Sequence, residues 1–247
     1  MSVTAGFVPL PVRRALYELK TVVARYPPLA VPIARLRHGD PVGPDTEIVI
    51  EGFPRTGNTF AVNAFNFAQP RPVRVACHVH APAQLIAGAR RRIPAIALVR
   101  EPEETILSFV IRHSHVPVGQ ALRGYLRFYE SLVRYRDRLV IGSFDEVITD
   151  FGAVIRRVNE RFGTLFAEFV HTEENVRACL EQIERDYGAR EERGEALERI
   201  VARPSPVRAR MKEEIRPEYR APRLSGLRAR AERAFQVLVA TDGATLP

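Results

Sequence analysis

The sequence predicts an α/β fold, a parallel sheet of about five strands covered by helices on both faces. Short apolar runs at residues 47–53, 73–78, 93–99 and 138–143 alternate with segments of helical period at 58–67, 103–112, 120–135 and 151–162. Runs of that kind, separated by stretches long enough for a crossover helix, form parallel sheets buried on both sides. The chain has 247 residues, 46% of them hydrophobic, which is enough to bury one large core.

Residues 1–45 read as an N-terminal appendage. It contains one amphipathic helix over 11–26, where Val12, Leu16, Leu19, Val22 and Val23 keep helical spacing until Pro27 and Pro28 stop it. A Pro/Gly stretch runs from there to Pro44. Residues 46–165 carry the strands and crossover helices and read as the α/β core. Residues 166–247 are charged and mostly helical, interrupted by prolines at 204, 206, 217 and 222. No repeat period is present, and a single domain, 1–247, uses the whole length.

Composition narrows the function classes. No run approaches the ~20 apolar residues of a membrane helix, and the N-terminus has no basic region followed by an apolar core, so no membrane span and a cytoplasmic location are expected. Cys77 and Cys179 lie far apart inside apolar stretches and read as buried thiols rather than a disulfide. The net charge is +8, and of the 37 basic residues only Lys20 and Lys212 are lysines. An arginine bias of that kind fits either the coding composition of a GC-rich genome or selection for an anionic ligand. The one tight cluster, Arg90–Arg91–Arg92, has no interleaved aromatics, so no nucleic-acid partner is expected. A small, highly phosphorylated molecule fits better. Oligomeric state is not encoded legibly.

The most informative stretch is the first strand together with the loop and helix start after it. Gly52, Gly57 and Thr59 have the spacing of a P-loop, G-x-x-x-x-G-K-S/T, with Asn58 in place of the lysine. In a nucleoside triphosphatase that lysine neutralises the β and γ phosphates, and a strand-end Asp helps to hold Mg²⁺. Here the cation is Arg55, inside the loop, and the 93–99 run ends in Arg100. Triphosphate–magnesium chemistry is therefore poorly supported, whereas the anion site survives: N–H groups from Thr56 to Thr59 would point at a phosphate from a helix N-terminus.

At this point the sequence resembles the sulfotransferases that use 3′-phosphoadenosine 5′-phosphosulfate (PAPS), which have a P-loop-like fold. Pro54-Arg55-Thr56-Gly57-Asn58-Thr59 is similar to that family's P-K/R-S/T-G-T/N-T loop, which implies that it holds the 5′-phosphosulfate. Arg55 then corresponds to the residue that neutralises the bridging oxygen. Phe60 corresponds to an aromatic near adenine, with core packing as its other reading. Arg100-Glu101-Pro102 through Ser108 resembles the second signature, R-x-P-x-D/E-x-x-x-S, in which Arg and Ser bind the 3′-phosphate. Its chemistry is sound without the family: a guanidinium at a strand's C-terminal end sits where α/β sheets bind ligands, and Ser108, two turns into the next helix, adds a hydroxyl.

His80-Ala81-Pro82 is similar to the H-L/F-P segment that carries the family's catalytic histidine, which implies a general base at His80. His78 and His80 alternate at the end of a strand and should face one side, with His78 where a lysine is frequent. A zinc site from His78, His80, His113 and His115 is the competing reading, although no Asp flanks either pair; no metal is expected. His113 and His115 otherwise line an acceptor cleft or face solvent, and His38 and His171 read as surface residues. Phe144 stands where a family tyrosine approaches adenine. Asp145 and Glu146 read as helix-start charges. The family's C-terminal basic loop has only a stand-in at residues 203–212, with Arg208 and Arg210, and the chain has no Trp.

The resemblance spans roughly residues 47–163. It implies transfer of a sulfuryl group from PAPS to a hydroxyl or amine of a small-molecule acceptor. Loops around 83–92 and 113–129, with Phe128 and Tyr129, are expected to shape the acceptor site and hint at a hydrophobic or phenolic molecule. The other readings are a P-loop kinase or nucleotide hydrolase with a relocated cation, and a non-catalytic nucleotide-binding protein.

Overall fold

The computed structural model describes residues 8–36, 39–188 and 205–240. Helices α1 (Leu10–Val23) and α2 (Pro27–Arg35) precede β1 (Ile48–Gly52), α3 (Asn58–Ala68), β2 (Val75–Ala76), α4 (Pro82–Arg91), β3 (Ala95–Val99), α5 (Pro102–Arg112) and α6 (Val118–Val133). Then come β4 (Val140–Ser143), α7 (Phe144–Thr149), α8 (Phe151–Phe162), α9 (Glu173–Gly188), α10 (Pro206–Arg220) and α11 (Ser225–Val239). The strands pair in parallel in the order β2-β1-β3-β4.

The fold is the expected α/β class, with four strands among the described residues rather than about five. Each apolar run gives one strand, and beyond β4 the described regular structure is helical. Side chains alternate across the sheet: Ile48, Ile50, Ile96 and Leu98 face a core shared with α3 and α8, while Val49, Ala95, Ala97 and Val99 face a larger one shared with α4, α5, α6 and α11. Both faces are covered, which is why β1 and β3 are fully buried along their length.

Four local expectations change. Pro27 and Pro28 end one helix by starting another: they occupy the first positions of α2, where a missing N–H costs nothing. Residues 82–91 form a buried helix begun by Pro82, not an acceptor loop, because their alanines and Leu85 and Ile86 pack against the sheet. Phe128 and Tyr129 sit inside α6 and belong to the core; the Tyr129 hydroxyl donates to the Leu98 carbonyl at 2.8 Å. β2 is only two residues long, because His78 and His80 both adopt positive φ (59° and 53°) and take the chain out of the extended conformation.

The described part of the 1–45 segment packs against the core. Glu18 of α1 forms ion pairs with Arg123 and Arg127 of α6, Tyr17 packs against Gly124, and Val42 N–H donates to the Gln84 side chain at 2.6 Å. Cys77 and Cys179 are buried and free, and burial beside Glu51 and Asp40 pushes the Cys77 thiol up to about 12. Among the described residues no helix is long and apolar enough to cross a membrane.

Candidate active site

The topology places the site. From β1 the chain crosses outward through α3 to β2, then returns through α4 to β3 on the other side of β1. The strand order therefore reverses between β1 and β3, and their C-terminal ends open a crevice of the kind in which α/β sheets bind ligands. Gly52 pairs with Leu98 at the rim, so the loop after β1 and Arg100 after β3 emerge side by side.

The loop is braced from within. Thr56 is fully buried and its hydroxyl donates to the Phe53 carbonyl at 2.8 Å. The Asn58 amide, where a P-loop would carry its lysine, donates to the same carbonyl at 3.0 Å and to Thr56 Oγ1 at 3.1 Å. These two side chains hold the turn and do not reach outward; what they can offer a ligand is backbone N–H. Gly57 has φ of 90°, a left-handed conformation, and no side chain caps the start of α3, so that helix terminus is left open toward the crevice. A methyl on Gly57 would lie 3.4 Å from the Phe144 ring.

Four polar side chains from distant parts of the sequence converge beside the loop. Arg55 Nε donates to Ser108 Oγ at 3.1 Å, and Arg208 Nη2 of α10 donates to the same oxygen at 3.0 Å. Arg100 Nη1 donates to the Arg55 carbonyl at 3.3 Å, and its guanidinium stacks 3.8 Å from the centroid of the Phe144 ring. Burial pushes the Arg100 pKa below its ordinary value, with Glu104, Asp145 and Glu101 opposing. Ser108 and Arg208 are both buried. Two guanidinium groups on one hydroxyl, with that of Arg100 alongside on the Arg55 carbonyl, make a multi-donor pocket that suits a doubly charged oxyanion.

Helix α10 is held over this pocket by ion pairs. Lys212 Nζ lies 2.5 Å from Glu104, and Arg216 and Arg220 both pair with Glu103. Burial raises the Glu104 pKa, but the Lys212 hydrogen bond and the charges of Lys212, Arg100 and Arg216 outweigh it and hold the carboxyl below its ordinary value. A group whose folded pKa is lowered contributes stability above its unfolded pKa and loses it as pH falls through the folded one. Acidification below about pH 4.3 is therefore expected to loosen α10 before the sheet unfolds. Hydrogen exchange along residues 206–220 measures this.

His80 lies at the rim of β1, with Nδ1 3.2 Å from the Gly52 carbonyl oxygen and 3.4 Å from Glu51 Oε1. His78 is 6.1 Å away, ring to ring, and burial pushes its pKa down. The two rings reach one cavity through the left-handed turn, not through strand alternation. His113 stacks on Phe109, and burial, with Arg112 as the largest charge effect, lowers its pKa to about 4, so it is neutral at physiological pH. His115 is tied to α1 by Arg13 and Arg14. Among the described residues no group of three or more His, Cys, Asp or Glu is placed to hold a metal ion.

One cavity of about 1480 Å³ takes in Arg55, Gly57, Asn58, Thr59 and Phe60, Arg100, Ser108, Phe144, Arg208 and both His78 and His80. Phe60 also packs edge-on against Phe169. Thr56 alone of the expected binding residues is absent from the lining, and Arg210 is exposed on α10. Arg203 and His38 lie outside the described residues. Sequence reasoning names Arg208 only as part of a basic stretch and misses two features. One is the apolar wall of Leu16, Leu19 and Val23 from α1, joined by Ile33 of α2. The other is Glu51, whose signal is a lone carboxylate at the end of an otherwise apolar buried strand.

No protein-family model matches the chain, and no curated protein does. Among solved structures, it is similar to mouse sulfotransferase SULT7A1 complexed with PAP, with 12% sequence identity and a TM-score of 0.41, over 78% of this chain and 89% of that one.

Proposed function

We propose that the protein is a sulfotransferase that moves a sulfuryl group from PAPS to a hydroxyl or amine of a small-molecule acceptor. The carrying observation is the meeting of Arg55 and Arg208 on Ser108, with Arg100 alongside, in the cavity that also holds His80. The residues suit an adenosine with a phosphate at each end. Backbone N–H groups at the start of α3 and Arg55 would receive the 5′-phosphosulfate, Arg100, Ser108 and Arg208 the 3′-phosphate, and Phe60 and Phe144 the base. When bound, the co-substrate supplies an already activated sulfuryl group. Guanidinium groups and main-chain amides provide the neutralising charge, so the reading calls for no divalent ion.

The reading gives the chain's own groups these roles. His80 Nε2 takes the acceptor's proton, and the Arg55 guanidinium neutralises charge on the departing oxygen. Positioning supplies the remainder. The cavity is larger than the few hundred cubic ångströms of an ordinary ligand pocket, leaving room for an acceptor against the α1 wall.

Calorimetry tests the reading. The wild type is expected to bind 3′,5′-bisphosphoadenosine equally well with Mg²⁺ or with a chelator, and Arg100→Ala to weaken binding by about 10- to 100-fold, as loss of a charged hydrogen-bonding group does. Binding of Mg-ATP in preference to the bisphosphate would overturn it in favour of a kinase or hydrolase. Bisphosphate binding with no transfer to any of a broad panel of alcohols, phenols and amines would leave a non-catalytic binding protein.

A further inference from the structure

We infer that Glu51 is a positioning residue that fixes the protonation geometry of His80, an inference that rests on the proposed role of His80 as base. Glu51 is fully buried on β1, on the face that packs against α4. Its Oε2 accepts hydrogen bonds from Val79 N–H at 2.9 Å, His80 N–H at 3.0 Å and Gln84 Nε2 at 3.2 Å, while Oε1 accepts from Gly52 N–H at 3.1 Å. Burial alone would raise the carboxyl's pKa; the His80 hydrogen bond, with those from Gln84 and Gly52, reverses this and holds it below its ordinary value.

That carboxylate does two things for His80. It ties down the turn through 79–80 by two main-chain hydrogen bonds, offsetting the cost of two non-glycine residues at positive φ. It also sets the tautomer. Both neighbours of Nδ1, the Gly52 carbonyl and Glu51 Oε1, are acceptors, so Nδ1 carries a hydrogen, and in the neutral ring it is Nε2 that holds the lone pair. Only that tautomer can take a proton from an acceptor hydroxyl at Nε2, and the imidazolium so formed lies against a buried negative charge. Gln84, itself buried and held by Val42 N–H, completes the carboxylate's shell.

In Glu51→Gln an amide NH₂ takes the place of one carboxylate oxygen. The three donors at the Oε2 position keep the amide oxygen there, so the NH₂ falls at the Oε1 position, gives up the Gly52 N–H bond and donates to Nδ1, which stabilises the opposite tautomer with the hydrogen on Nε2. Long-range ¹H–¹⁵N spectra of protein labelled at histidine nitrogen report this without turnover, the His80 signals being identified by their loss in His80→Gln. The Nδ1–H form is expected in the wild type, both free and with 3′,5′-bisphosphoadenosine, and a shift to the Nε2–H form in Glu51→Gln. An Nε2–H wild type, or an unchanged tautomer in folded Glu51→Gln, would overturn the inference. If Glu51→Gln does not fold, the wild-type Nδ1–H proton decides: shared with a carboxylate it resonates well downfield of one bonded to a carbonyl alone, and its absence there sinks the assignment. Calorimetry with the bisphosphate tests the sulfotransferase reading separately, so either can fail alone.

Discussion

Arg55→Ala is expected to lower turnover by about 100-fold or more while leaving the melting temperature close to that of the parent. The first part follows from position. Arg55 sits in the loop after β1, where the strand order reverses, and its guanidinium contacts Ser108. In the proposed mechanism its removal takes charge from the departing oxygen, where stabilisation counts only as the bond breaks, so kcat should fall more than affinity for the bisphosphate. The second part follows from packing. The loop is held by Thr56 and Asn58 hydrogen bonds to the Phe53 carbonyl, none of which uses the Arg55 side chain. Steady-state kinetics with a competent acceptor, beside a thermal melt, reads both. Transfer at the parent rate would rule out the assigned role.

Gly52→Ala should act in the opposite way, through the fold. A methyl at that position would meet the Thr56 hydroxyl and lie 2.6 Å from the Leu98 carbonyl oxygen on the neighbouring central strand. That oxygen already accepts the buried Tyr129 hydroxyl, so it cannot retreat without breaking a second contact. Overpacking of this kind costs about 3 kcal/mol, equivalent to roughly 6–12 °C of melting temperature for a chain of this size. Gly226→Ala, whose added methyl meets nothing within 4 Å, is the control and should change stability by about 0.5 kcal/mol or less. Equal melting temperatures for the two variants would show that the β1–β3 rim is not as tightly closed as its geometry demands.

The parts of this molecule legible in the sequence are those encoded locally. The 47–60 stretch carries strand, turn and helix start in consecutive residues, and Arg100 to Ser108 does the same, so both arms of the pocket can be named without coordinates. The strands follow from apolar runs for the same reason. The hidden parts depend on partners far along the chain. Glu51 acquires meaning only when residues 79, 80 and 84 fold back onto it. Arg208 gains its place only when α10 docks on α5, 100 residues from the serine it meets. Strand periodicity misplaces His78 and His80, because the turn that carries them is set by that same distant carboxylate. Helix α4 reads as a loop because its small alanines carry little periodic contrast, and Phe128 and Tyr129 read as cleft residues because an aromatic's burial is not written in its identity.

The order in which strands are laid down has a consequence for biosynthesis. The crevice is bounded by two strands that touch in space but are separated in the chain by β2 and two crossover helices. A nascent polypeptide that has emerged only as far as residue 90 therefore owns a complete glycine-bearing turn yet no opposing wall, and has nothing with which to grip the proposed nucleotide from its second side. Under the proposed function, ligand capture is thereby deferred until the far strand and α10 have joined, and the small molecule would act as a late clasp on a finished scaffold and not as a template for building it.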